Sequence, residues 1–150
     1  MNYWLMKSEP DAFSIDDLEM MKSSPWDGVR NYQARNFMRE MRTDDIIFFY
    51  HSSCKVPSIV GTAKVSKEAY PDHTSWDENS AYFDAKSTRD NPRWFMVDIT
   101  FQAKWKTPLS LKEMKSDHAL VGFKLLEKGN RLSILPLSRE HAQHILMSQT

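Results

Sequence analysis

A chain of 150 residues with 41% apolar and 27% charged residues has the size and balance of one globular domain, large enough to fold without disulfides or metal. Twenty Lys and Arg against twenty Asp and Glu argue against a strongly basic, non-specific nucleic-acid binder. No apolar run approaches the roughly 20 residues that span a bilayer, Met1–Met6 has neither the length nor the basic leader of a signal peptide, and Cys54 is the single cysteine, so the expectation is a cytoplasmic protein, or a nuclear one in a eukaryote.

The chain reads as one α+β domain over residues 1–150, with no repeat, linker or low-complexity tract. Tyr3-Trp4-Leu5-Met6 begins a short strand. Ser14 is placed to cap a helix over about 15–21, with Asp16 and Asp17 favouring its dipole, and Ser23-Ser24-Pro25 ends it. Asp27-Gly28 is a turn signal. From about Asn31 the pattern is helical: Ala34, Phe37, Met38 and Met41 make one apolar stripe. Arg35, Arg39 and Arg42 follow on a flank about 100° away.

Ile46–Tyr50 is a continuous apolar run, expected to be a strand buried on both sides. Ile59–Val65 is another strand, with Gly61 where a bulge or close approach is needed. Residues 71–93 are polar and read as a long loop with one turn of helix at most. Trp94–Trp105 alternates, with Phe95, Val97, Ile99 and Phe101 on an apolar face. Ser110 and Glu113 match a capping box opening a short helix. Arg131–Leu135 reads as a last strand, and Ser138 as the cap of a final helix with Ala142, Ile145 and Leu146 inward. About five strands with short helices between them suggest a small, closed or nearly closed barrel.

The charge is uneven. Residues 8–19 hold five acids and no base, and residues 28–43 hold four arginines and one acid, a net of 4 − 1 = +3. Residues 68–90 hold six acids and two bases, a net of 2 − 6 = −4. Local basic ground with acidic surroundings suits a small, specific contact better than a long phosphate track. His51-x-x-Cys54 has ligand-like spacing, but no second pair completes a metal site. No G-x-S-x-G elbow or Walker loop is present, and His51 with Cys54 lacks a third group, so no catalytic residue is assigned and no cofactor is expected.

The candidate binding residues cluster instead. Trp26, beside the Asp27-Gly28 turn, is either a loop anchor plugging the core or a platform that stacks a base, an interaction worth about 1–3 kcal/mol. Asn31, Tyr32, Arg35 and Asn36 are either an ordinary capped and solvated helix start or a group that reads a base edge and holds a phosphate. Lys7 and Ser8 add a cation and a hydroxyl where the first strand ends.

Several stretches taken together resemble the EVE domain family, a branch of the PUA-like superfamily related to YTH and ASCH domains. They are YWLMKSEPDAFSIDDL (Tyr3–Leu18), WDGVRNYQARNFM (Trp26–Met38), FYHSSCK (Phe49–Lys55), IVGTAKVSKEAYPD (Ile59–Asp72), RWFMVDI (Arg93–Ile99) and RLSILPLS (Arg131–Ser138). Thr43-Asp44-Asp45 and Pro57-Ser58 lack glycines that the family often carries, and His141 stands where an aromatic is expected. The resemblance implies a PUA-like pseudo-β-barrel of five to six strands surrounded by short helices. It also implies a nucleic-acid reader that holds a modified base, methylated or hydroxymethylated, in an aromatic and polar pocket.

Carried over by motif, the base-binding residues are Lys7, Ser8, Trp26, Asn31, Tyr32 and Arg35, with His51 and Ser52, at the end of the buried strand, as second-rank candidates. Arg30, Arg35 and Arg93 are the phosphate-binding candidates, and Trp76 is placed to close one side. The partner expected is DNA or RNA carrying a modified base, bound by a monomer, with any effector step supplied by a separate protein. An alternative is a small enzyme or binding protein acting on a free modified nucleotide or nucleoside. A third is an interaction module that binds protein through the 71–93 loop.

Overall fold

The computed structural model describes residues 1–149. In chain order it runs β1 (Tyr3–Ser8), α1 (Ile15–Met21), β2 (Ser23–Pro25), α2 (Tyr32–Glu40), β3 (Ile46–His51) and β4 (Ser58–Pro71). Then come β5 (Phe95–Ser110), α3 (Leu111–Lys115), β6 (Ile134–Leu137) and α4 (Arg139–Met147), with 3-10 turns at His73–Trp76, His118–Leu120 and Lys124–Leu126. The strands form one sheet in the order β2-β5-β4-β3-β1-β6. β1 and β3 run parallel and the other neighbours antiparallel. This is the PUA-like pseudo-barrel with its closure incomplete: β2 and β6 are the two ends of the strand order and do not pair.

The helix starts follow from local chemistry. Ser14 accepts a hydrogen bond from the Asp17 N–H while Asp17 accepts from the Ser14 N–H, and Ser110 and Glu113 repeat that box at α3. Each box satisfies donors that a helix start leaves open. Asn31 caps α2 by accepting from Ala34 N at 2.9 Å. Ala34, Met38 and Met41 are fully buried, as the apolar stripe requires, with Phe37 packed at the edge.

The sheet has a core on each face. Along β3, Ile47 and Phe49 enter one cluster with Trp4, Met6, Met38 and Ile99, whereas Ile46, Phe48 and Tyr50 enter another with Leu5, Trp105, Met114 and Leu120. A strand buried on both sides has no polar face, which is why its sequence is a continuous apolar run. Burying each of its large side chains is worth roughly 1.5–3 kcal/mol.

Three elements differ from the sequence expectations, and one turn departs from the family pattern. Ser23–Pro25 does end α1, through Lys22 at φ 70°, but then pairs with Asp98–Thr100 of β5 as a strand. The last strand lies at Ile134–Leu137, later than Arg131–Leu135; its Pro136 is tolerated because β6 is an edge. β4 and β5 run on to Pro71 and Ser110, their pairing carried past four register shifts. The turn at Thr43-Asp44-Asp45 manages without glycine: Asp44 takes φ 74°, and the buried Asp45 carboxylate accepts from Asn2 N, Arg42 N and Trp4 Nε1, each at 3.0 Å. No helix among the described residues is long and apolar enough to cross a membrane.

Candidate functional site

The unclosed seam of the sheet holds a cavity of about 530 Å³. One side is the end of β1, with Lys7 and Ser8, and Ser133 just before β6; the other is β2, with Ser24 and Pro25, and the Trp26–Arg30 segment that follows it. The Lys7 N–H donates to Ser133 O at 2.8 Å, which fixes the first side. The Trp26 N–H donates to Val97 O at 2.8 Å, which ties the second side to β5.

Trp26 is both anchor and wall. The residue is 9% exposed and its ring stands edge-on to Phe13 and Phe49, with centroids 6.1 and 5.6 Å away, yet it lines the cavity. Packing of that kind locks the rotamer of a side chain. After it, Gly28 takes φ 81°, and a Cβ there would lie 2.7–2.9 Å from the ring of Tyr82. Glycine thus permits both the left-handed turn and the approach of a second aromatic to the cavity.

That approach is secured by Asp72. Its fully buried carboxylate accepts from Gly28 N at 2.9 Å, Thr74 N at 2.9 Å and Arg30 Nη1 at 3.1 Å, and from the Thr74 hydroxyl. Burial alone would raise its pKa, but the bonds from Thr74, Gly28 and Arg30 prevail and hold it below the ordinary value. Arg30 also donates to Tyr82 O and Thr74 Oγ1 and lies 5.6 Å from the ring centroids of both Tyr82 and Trp94. It is a clamp between the Trp26 turn and the 71–93 loop.

Of the residues singled out in the sequence, Lys7, Ser8, Trp26 and Arg30 come together on the cavity. Burial lowers the pKa of the Lys7 ammonium, which makes no ion pair among the described residues. The Ser8 hydroxyl donates to Phe13 O. The others gather elsewhere. Asn31 is occupied as the α2 cap, and Tyr32 stacks on Trp94 with centroids 4.8 Å apart. Arg35 lies over Tyr32 and donates to Arg93 O at 2.9 Å, and Arg93 hydrogen-bonds the Tyr32 hydroxyl. These form a cationic and aromatic ladder beside the cavity, joined to it through Arg30.

His51 lies behind the wall. Its Nε2 accepts from Ile15 N at 3.1 Å, and its pKa is lowered by burial and by Lys104 against an opposing effect of Asp16, so the ring is held as a neutral acceptor. The Ser52 N–H donates to Ser8 O. Trp76 does not line the cavity, and Tyr82 occupies the side assigned to it. Asp72 and Tyr82 escaped the sequence reading. The Asp72-x-Thr74 spacing was a usable sign of a side-chain cap, whereas nothing local marks Tyr82.

Residues 2–148 match the EVE domain family. The chain belongs to that family. This EVE domain is 46% identical over 164 residues to thymocyte nuclear protein 1 of Rattus norvegicus, covering 97% of this chain and 72% of that protein. The protein of that name from Homo sapiens is 45% identical over 163 residues, with the same coverages. Among solved structures, a Pseudomonas syringae protein superposes with TM-score 0.95 at 49% identity, covering 99% of each chain. Human THYN1 protein in complex with 5-methylcytosine containing DNA superposes on this EVE domain with TM-score 0.94 at 43% identity, covering 99% of this chain and 98% of that one. A Zymomonas mobilis ASCH protein, with TM-score 0.57 and 12% identity, shares the fold alone.

Proposed function

We propose that this EVE domain reads a modified base in DNA, 5-methylcytosine or a close relative, taken out of its stack into the Trp26 cavity. The observation that carries the reading is the cavity itself: about 530 Å³ at the sheet seam, with an immobilised indole in its wall and Tyr82 beside it. Ligand sites typically measure roughly 300–1,000 Å³, ample for one flat heterocycle. The crystallised complex of the human relative with 5-methylcytosine containing DNA supports the choice of polymer and modification.

Trp26 and Tyr82 contact the faces and edges of the base. Lys7 supplies a donor to its carbonyl, and Ser24 and Ser133 line the polar end. Arg30 shapes the wall, its guanidinium already engaged. Phosphates meet the outer ladder, where Arg35 and Arg93 adjoin the arginine flank of α2. Unstacking a nucleotide costs a few kcal/mol. A buried methyl returns only about 0.8 kcal/mol, so discrimination also requires polar groups that the wrong base leaves unpaired.

The test is fluorescence anisotropy with duplexes carrying cytosine, 5-methylcytosine or 5-hydroxymethylcytosine at one position. Trp26→Phe keeps an aromatic anchor while shrinking the platform, and is expected to weaken binding of the modified duplex at least several-fold at a temperature where a thermal melt shows the variant folded. Equal affinity for all three duplexes, or no effect of Trp26→Phe, rejects the reading.

A further inference from the structure

We infer that Asp27 is the specificity-determining residue of the cavity, selecting a base edge that carries an exocyclic amino group and rejecting one that carries a carbonyl there. The inference rests on the base-reading proposal and deepens it. Asp27 lies in the cavity wall directly after Trp26, between the stacking indole and the Gly28 turn. Three neighbouring polar groups are already engaged. Asp72 is saturated by Gly28, Arg30 and Thr74, Ser8 donates to Phe13 O, and Ser24 donates to Pro25 O. The Asp27 carboxylate makes no ion pair and no hydrogen bond to another residue's side chain among the described residues. Desolvation at the cavity wall and the nearby Asp72 raise its pKa, against the opposing effects of its own backbone N–H, His73 and Arg30. A donor arriving from a ligand opposes that rise.

The chemistry that fits is the N4 amino group of a cytosine ring, the group a carboxylate accepts from. 5-Methylcytosine and thymine share an outline and a 5-methyl group, so neither shape nor the methyl separates them. They differ on the pairing edge: at position 4 cytosine presents N–H donors and thymine a carbonyl acceptor, and at N3 cytosine accepts where thymine donates, so Asp27 is placed against position 4 and not N3. Against Asp27 cytosine makes a charge-assisted hydrogen bond, and thymine sets two acceptors face to face with both left unpaired. Lys7 complements this without discriminating. Its ammonium donates to the O2 carbonyl, which both bases carry, and so contributes affinity to each.

The experiment places 5-methylcytosine or thymine opposite an abasic site, so that neither base pairs and the cost of flipping is matched. Wild type is expected to prefer 5-methylcytosine by about tenfold to a hundredfold, the discrimination of one good base-edge contact. In Asp27→Asn, whose amide offers a donor as well as an acceptor, the preference falls to within about threefold, chiefly because thymine binds better. A thermal melt confirms that the variant, altered at an exposed position, is folded. If Asp27→Asn keeps the wild-type ratio, or if Glu9→Gln at the other acid of the wall removes the preference instead, the assignment to Asp27 is overturned. Wild type that binds both duplexes equally overturns the inference and leaves base reading standing. Wild type that binds neither overturns both.

Discussion

Replacing Asp72 by Asn tests whether the cavity wall is held by one buried charge. Asp72 accepts two backbone N–H groups, a hydroxyl and the Arg30 guanidinium, with its own side chain fully buried and that of Arg30 23% exposed. Asparagine keeps the shape, so no cavity term enters, but it offers one acceptor oxygen and turns an NH₂ toward a donor. Removing one partner of a fully buried ion pair costs about 3–5 kcal/mol. Water can reach Arg30 in part, which sets the expectation at the lower end, about 3 kcal/mol. For a chain of this size that is a fall in melting temperature of roughly 6–12 °C.

Calorimetry or thermal circular dichroism reads the shift directly, and a pH series adds a sign. The folded pKa of Asp72 is depressed, so its stabilisation is complete above the unfolded value of about 3.9 and is lost as pH falls through the folded value. The wild-type advantage over Asp72→Asn is therefore flat near neutrality and shrinks in acid below about pH 4. A melting temperature within 1 °C of wild type at pH 7, or an advantage that grows in acid, refutes the reasoning.

Tyr82→Ala removes an aromatic that is 44% exposed, so stability should change little while affinity for a methylated duplex falls about fivefold to a hundredfold, the worth of one stacking contact, by anisotropy. Gly61→Ala would bring a Cβ to 2.2 Å from Ala103 O, backbone against backbone between β4 and β5. Overpacking of about 1–3 kcal/mol predicts a melting temperature lower by roughly 2–12 °C, and unchanged stability would mean the strands part freely there. Few phosphate contacts predict a shallow loss of affinity with salt, with a log–log slope of roughly −2 to −4 by titration from low to physiological salt; a slope near −8 would indicate a long basic track.

What could be read from the sequence was whatever local chemistry decides. α1 starts at Ser14 because Asp17 is three residues on, α2 starts at Asn31, and β3 is a continuous apolar run because both its faces are covered. Gly61 marked a real close approach for the same reason, since only one residue type fits. The remainder depends on partners distant in sequence. Ser23–Pro25 has no strand pattern of its own and becomes one by pairing with Asp98–Thr100. Tyr82 reaches the cavity through bonds to Arg30, fifty-two residues earlier. The motif containing Trp26 divides in the structure. The family motif placed Asn31, Tyr32 and Arg35 in one pocket with Trp26, whereas the helix they begin gives them the partners Ala34, Trp94 and Arg93.

The gap between β2 and β6 has a consequence for evolution and for engineering. A barrel that zips shut pairs every edge group; this sheet keeps a gap where its two terminal strands fail to meet, and the cavity lies there. Selection for greater thermal robustness would tend to draw those edges together, and each step in that direction would narrow the entrance. Hardening the scaffold and keeping it receptive are therefore opposed at this one place, and stabilising changes belong on the far side of the sheet, around Trp105 and α4.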